Sequence, residues 1–450
     1  MSTQVSVQRA ESDEKFPVLD GLRTLMTFWV VAFHTLWYTG AYSTEKQFLA
    51  VSKQPYFLVL TNGLVAVDVF FLMTGFLLSY PILTGVRTGS WASFVWRRVT
   101  RLYPSYIFTL LFVCAGIYRF GKLPVIPWDQ HVTTGIRELI RSAGQDTQGG
   151  IPNNCEMSIF NLLFLNNYIP FGGCMGWTWS LCVQVHFICI FPLVIRWFGI
   201  TKKLMYALIV GYLCNIVLRY FLYLHVMLPY TPSKMYLFDF EDTMMYFMHF
   251  NVWYAPTHMR IGGVFMGVAL AYVQYHYSIR QWAQKNKVLA TIITTTITVV
   301  SFPAVYYTLD TQEFSPLHMS VFAVGAPIWQ LTLAFHVYCL LNEVGLLHTF
   351  VAKILSLRFL AWLAIPSYPV YLVHQVIIPR VWSNFFAPLW PGFNNWKLLQ
   401  ATLLVLLCSW TFGFVCHYLV EEPIKNLLRK KSFGAKSAPN DGATQKAKAE

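Results

Sequence analysis

Apolar runs about twenty residues long recur along almost the whole chain, and that length is what helix needs to cross about 30 Å of hydrocarbon. Ten of them fall near residues 22–40, 57–80, 104–121, 177–198, 204–226, 260–276, 288–308, 318–342, 359–379 and 398–420. Lipid offers no hydrogen-bond partner to a backbone, so each run must satisfy its own amides and carbonyls as a helix. The chain is 56% hydrophobic and 12% charged, with a mean hydropathy of +0.48. A soluble domain carries about 25% charged residues. The expected fold is therefore all-α, a polytopic membrane protein with ten transmembrane helices, of which the sixth is short and glycine-rich.

The net charge of +13 reads as membrane topology, since the Lys and Arg residues sit between apolar runs; it is no nucleic-acid footprint. Alternate connections hold Arg9, Lys15, the Arg97-Arg98-Arg101 cluster, Lys202-Lys203, Arg280, Lys285, Lys287, Lys353, Arg358 and the stretch from Lys425. The other connections hold roughly half as many basic residues, and Asp239, Glu241 and Asp242 fall there. By the positive-inside rule both termini are expected in the cytoplasm. Residues 1–21 form an N-terminal segment, of which 1–15 are polar and lack a signal peptide's apolar core, 22–430 the membrane domain, and 431–450 a basic tail with the composition of disorder. The longest connection, 122–176, carries Pro124, Pro127, Pro152 and Gly149-Gly150 between short helical pieces. No stretch outside the apolar runs is long enough for a soluble catalytic domain, so any chemistry is expected in or beside the bilayer.

Most of the nine cysteines lie within apolar runs, where they behave as small apolar side chains. Cys155 and Cys174 fall in the long connection instead, and an oxidising compartment permits a disulfide between them. There is no CxxC, HExxH or other metal-ligand spacing, so no metal is expected.

Several polar residues stand inside the apolar runs, where they need a partner or a purpose. Arg23 opens the first run and His34 follows eleven residues later. Eleven residues are almost three helical turns, so the two share a face, roughly 16 Å apart along the axis. Asp68 lies in the second run, where a carboxylate must be paired or neutral; the adjacent Thr74-Gly75 allows close helix packing. Arg98 and Arg101 are three apart on one face of the following segment, with the fork geometry that suits phosphates; a topology signal or a clamp on membrane lipid head groups uses the same residues. The fourth run opens Trp177-Thr178-Trp179-Ser180, with Gln184 one turn below Ser180 on the same face and His186 on another. In the ninth run Tyr371 and His374 are three apart and form a polar edge. His336 and His417 are read as packing residues.

Taken in order, these segments resemble the acyltransferase-3 family of integral membrane acyltransferases. Leu19-Asp20-Gly21-Leu22-Arg23 followed by His34 is similar to its opening Arg-x10-His motif, and Asp68-Val69-Phe70-Phe71 through Gly75-Phe76 to its Asp-Phe-Phe…Ser-Gly-Phe segment, with Thr74 at the serine. Arg98 and Arg101 fall on its Arg-x-x-Arg, Ser367-Tyr368…Tyr371-Leu372…His374 on its late Ser-Tyr-x-x-Tyr-Leu-x-His, and Glu421 with Pro423 on its closing Glu-x-Pro. Asn166-Asn167-Tyr168 with Cys174-Met175-Gly176-Trp177-Thr178-Trp179, and Tyr254-x-Pro256 with Arg260-Ile261-Gly262, lean toward the eukaryotic nose-resistant-to-fluoxetine branch. That branch carries a further extracellular domain ahead of its first span; only 1–21 precede it here, so the membrane core alone is expected.

The resemblance implies transfer of an acyl group, often acetyl, from cytoplasmic acyl-CoA to a hydroxyl of a carbohydrate or lipid. Arg98 and Arg101 would then hold the CoA phosphates, with Arg23 at the start of the face that leads to His34. His34 would act as general base, or as the nucleophile of an acyl-histidine. Asp68, Gln184 and His374 complete the candidate catalytic set, and Ser180 and Tyr371 would orient the acceptor. One departure matters: the family places a carboxylate where this chain has Gln184, and an amide cannot take a proton. Asp68 or Asp20 compensates, or proton transfer rests on His34 alone, or the activity has been lost. A transporter of lipid or small solute, without covalent chemistry, is the alternative reading.

Overall fold

The computed structural model describes residues 16–42, 60, 62–85, 90–120, 155, 158–227, 249–307, 316–381, 385–386 and 394–427. The expected N-terminal segment before 16, most of the long connection and the basic tail lie outside the described residues. Every regular element among the described residues is helical, and all ten apolar runs fall on helix there. They are α1 (Pro17–Tyr42), α2 (Ala66–Leu83), α3 (Trp91–Phe120), α4 (Ser158–Leu162), α5 (Trp179–Phe198), α6 (Lys202–Leu222), α7 (Thr257–His276), α8 (Arg280–Lys285), α9 (Lys287–Tyr307), α10 (Pro316–Asn342), α11 (Leu346–Leu355), α12 (Arg358–Ala364), α13 (Ser367–Val381) and α14 (Asn395–Cys416).

Four described helical stretches are long and apolar enough to cross a membrane by themselves, Ala66–Leu83, Gly173–Phe198, Lys202–His225 and Asn395–Leu427. Counting each of two bent pairs as one span gives up to six. The bends are 77° between Pro327–Asn342 and Leu346–Leu355, and 63° between Arg358–Ala364 and Ser367–Val381. Hydropathy alone showed neither bend, because it records what a segment avoids and not where it points.

The centre of the bundle is the contact of α2 with α7. A β-carbon on Gly75 would lie 2.1 Å from the Val264 carbonyl oxygen, and one on Gly267 would lie 2.0 Å from that of Leu72. The two backbones therefore touch at reciprocal glycines, a packing that lipid-embedded helices use in place of a hydrophobic drive. Around this seam, α1, α2, α7, α10 and α11 share one apolar cluster and α2, α5, α6 and α7 a second. A third joins α3, α5 and α13, and a fourth α1, α13 and α14. The outer surface is apolar too. On α6, Tyr206, Val210, Leu213 and Val217 are exposed at helical spacing, while Leu204, Leu208 and Tyr212 face inward. Such stripes would aggregate in water and suit lipid.

The end of the long connection carries the expected short helical pieces, and they lie inside the bundle. Asn166–Tyr168 and Pro170–Thr178 are 3₁₀ segments that, with α4, pack inside the bundle, and Asn161, Asn166, Asn167, Cys174, Met175 and Thr178 are buried there. Irregular backbone at this depth survives only if its polar groups find partners. Asparagines and tyrosines supply them. Asn161 Oδ1 accepts from the Cys174 amide at 2.9 Å, its Nδ2 and that of Asn166 donate to Met175 O, and Tyr103 and Tyr106 donate to Leu162 O and Asn161 O.

Candidate active site

Helix α1 is held against α12, α13 and α14, and this brings His34 to His374 across 340 residues of sequence. His374 Nε2 lies 3.2 Å from His34 Nδ1, with ring centroids 4.9 Å apart. His374 Nδ1 is 2.6 Å from Tyr371 O, and His34 Nδ1 is 2.8 Å from Val30 O. A carbonyl oxygen can only accept, so both Nδ1 atoms must carry hydrogen. In the neutral pair His374 Nε2 then has a bare lone pair, which accepts from the hydrogen that His34 Nδ1 shares with Val30 O. His34 Nε2 is left unprotonated and bonded to no described residue. His374 is fully buried and His34 half-buried, so the inner ring orients and the outer one is reachable.

The helix that carries His374 is braced from the start of α5 and the 3₁₀ turn before it. Tyr371 donates to Trp177 O at 2.5 Å, Ser180 Oγ donates to the Tyr371 oxygen at 2.7 Å, and Trp177 Nε1 donates to Leu372 O at 3.0 Å. Ser180 and Tyr371 are thus brought together, but both hydroxyl hydrogens are taken up within the protein, so their evident work is to fix α13. Gln184 is half-buried one turn further along α5, and its amide makes no hydrogen bond among the described residues.

Asp68 stands in a different network. Arg260 NH1 lies 3.6 Å from its carboxylate and Gln330 Nε2 donates to it at 3.0 Å. The Arg260 guanidinium also sits 4.0 Å over Tyr254 and 5.4 Å over Trp179, and its Nε donates to Tyr254 O. A buried carboxylate with its own cation and amide is provided for, and neither partner is one of the paired imidazoles. The arginine partner was visible as the one cation within the sixth apolar run; nothing in a single sequence said which helix it faced.

At the end of the bundle where α1 begins, Arg23 pairs with Asp20 at 3.2 Å, and Arg101 acts on Arg23 electrostatically. Arg101 is exposed, and Arg98 donates to Leu77 O of α2 at 3.3 Å. Arg98 lies one turn before Arg101 on α3, so the three guanidiniums gather at this mouth of the bundle. His417, read as a packing residue, has its Nδ1 2.7 Å from Glu421 Oε2, an i,i+4 pair that spacing alone could have revealed. His336 pairs with His348 at 2.9 Å, a contact made by the unforeseen α11. Cys155 and Cys174 are joined as a disulfide, with Cys114 Sγ 3.6 Å from Cys174 Sγ.

A family profile described as acyltransferase domain, that of acyltransferase 3, matches residues 16–414. The chain is also similar to nose resistant to fluoxetine protein 6 of Caenorhabditis elegans, at 22% identity over 96% of this chain. That alignment covers 53% of the relative, so the chain spans about half the length of the curated protein it matches. No solved structure matches. With the profile running from the first turn of α1 into the last turns of α14, the chain belongs to the acyltransferase-3 family of membrane acyltransferases.

Proposed function

We propose that the protein moves a short acyl group, acetyl foremost, from cytoplasmic acyl-CoA to a hydroxyl of a carbohydrate or lipid acceptor, within a ten-span bundle whose termini are both cytoplasmic. The observation that carries this reading is the imidazole pair, whose two backbone carbonyls leave one unprotonated nitrogen, His34 Nε2, on the reachable ring.

His34 Nε2 takes the proton of the acceptor hydroxyl as its oxygen attacks the thioester carbonyl carbon. The carbon–sulfur bond breaks, and the same proton passes from His34 to the departing thiolate, so the pair ends neutral. While His34 is an imidazolium, Val30 O and the His374 Nε2 lone pair face its Nδ1–H and stabilise the charge. A neutral acceptor thus stands where a carboxylate orients the base in other dyads, and Gln184 need not supply one. Arg98 and Arg101, with Arg23 beside them, bind the CoA phosphates by charge-assisted hydrogen bonds.

The test is transfer of labelled acetyl from acetyl-CoA by the protein in reconstituted membranes. His34→Ala should lose about 10²–10⁴-fold in rate, the usual worth of a positioned base, with insertion intact. Arg98→Ala with Arg101→Ala should raise KM for acetyl-CoA. Undiminished transfer by His34→Ala would overturn the mechanism, and solute or lipid flux that is indifferent to acyl-CoA would favour a transporter.

A further inference from the structure

We infer that Tyr368, Ser105 and Glu421 are positioning residues, a clamp on both sides of Pro104 that holds the guanidinium pair at a set distance from the imidazole pair. The inference rests on the reading of Arg98 and Arg101 as ligands of the CoA phosphates.

Arg98, Arg101 and Ser105 follow one another at i, i+3 and i+7, so they line one face of α3. Pro104 falls between the second and the third. It has no amide hydrogen to give and its ring crowds the preceding turn, so helices bend at such points. Unless something holds it, the turn with the guanidiniums is free to swing against the rest of α3.

Both flanks of Pro104 are held, and from the elements that position His374. On one side Tyr368, six residues before His374 on the same helix, donates its hydroxyl to Leu102 O at 3.0 Å. On the other, the fully buried Ser105 donates to Glu421 Oε1 at 2.5 Å, a short charge-assisted bond. Glu421 Oε2 is 2.7 Å from His417 Nδ1, and Cys416 Sγ donates to Ser105 Oγ at 3.5 Å. Helix α14, which delivers these groups, packs along α13. Each Glu421 oxygen is thus engaged by a neutral hydroxyl or an imidazole. The carboxylate grips α3 through the Ser105 hydroxyl, one turn beyond Arg101. The closing Glu-x-Pro segment and the tyrosine of Ser-Tyr-x-x-Tyr-Leu-x-His acquire one shared task.

A thioester anchored through its phosphates reaches His34 only if anchor and base keep their spacing, and a misplacement of about 1 Å can cost a hundredfold. The clamp therefore acts on turnover and not on CoA affinity. Glu421→Ala, Ser105→Ala and Tyr368→Phe, each in the full-length protein in lipid nanodiscs, should lower kcat roughly tenfold or more. CoA itself, titrated calorimetrically, should bind with unchanged stoichiometry and within about twofold of the wild-type affinity, a shift of under 0.5 kcal/mol. Glu421→Gln, which still offers Ser105 an acceptor, should recover most of the rate. Hydrogen exchange over 98–105 should quicken in the first three variants and not in Glu421→Gln. Unchanged kcat, or a kcat that falls only in step with CoA stoichiometry, would overturn the clamp. Wild-type protein that binds no CoA would count against the acyl-CoA reading alone. The exchange measurement then decides the clamp, and unaltered exchange refutes it.

Discussion

An imidazole can be a base only where something decides which of its nitrogens carries the proton. Here Tyr371 O and Val30 O decide it for both rings. His374→Phe removes the acceptor of the His34 Nδ1–H and leaves Val30 O to share it alone. Leaving a buried group short of a partner costs about 1–3 kcal/mol; if His374 stabilises the imidazolium, that is roughly ten- to a hundredfold in kcat. KM for acetyl-CoA should hold, because the guanidinium mouth is untouched. Steady-state kinetics on the purified variant measures both. Asp68 separates structure from chemistry in another way. Asp68→Asn should lower thermal stability by leaving Arg260 buried without its anion, an effect of about 3–5 kcal/mol, and pairing it with Arg260→Met should restore stability and activity together. If activity stays lost in the stable double variant, Asp68 acts in the reaction itself. Individual polar residues in apolar runs were legible from the sequence because their burial is costly anywhere. Their pairing was not, since His34 and His374, or Asp68 and Arg260, are joined only by how helices pack.

Elements show a matching division. That Thr74-Gly75 serves close packing could be read from small residues in an apolar run, and the structure supplies the facing Gly267 on α7. Because the atoms a side chain would meet at Gly75 are backbone, Gly75→Leu should destabilise by about 1–3 kcal/mol or more, visible as a lower unfolding temperature in detergent. The break between α12 and α13 could not be read, though its cause is in the sequence. Pro366 cannot continue the hydrogen-bond ladder, and Ser367 Oγ instead takes up Ala364 O at 2.7 Å. Burial of the strap at 158–178 was hidden for the opposite reason. Its asparagines, prolines and glycines have loop composition, yet Asn161 and Asn166 turn inward and do the work that a helix's own ladder does elsewhere. Asn161→Leu is close in volume but leaves the Cys174 amide and Met175 O with less than they have. It should lower stability by about 1–3 kcal/mol. It should also loosen Trp177, hence the Tyr371 brace, so that the kcat of the folded fraction falls as well.

At the scale of the whole molecule, one helix measures the rest. Helix α14 has 22 residues, Asn395 to Cys416, so it is about 33 Å long and crosses a hydrocarbon core by itself. Asn395 and Glu421 therefore lie toward opposite faces, and Ser105 places the Arg98–Arg101 turn on the Glu421 face. Packing fixes this relation whichever way the bundle is inserted. The sense of insertion proposed above, from the distribution of lysine and arginine, has the Glu421 face in the cytoplasm. That is also the only face where a cytosolic thioester could meet the guanidiniums. Single cysteines at Arg97, Lys285 and Asn395, all exposed, in a background without the free cysteines, convert this into a measurement. A membrane-impermeant maleimide added to inside-out vesicles should label Arg97→Cys and Lys285→Cys, and added to right-side-out vesicles it should label Asn395→Cys. Labelling of Arg97→Cys and Asn395→Cys from the same side would break the packing relation itself. A complete exchange of sides would keep the fold and turn the guanidinium mouth away from cytosolic CoA, which the proposed acyl transfer cannot survive.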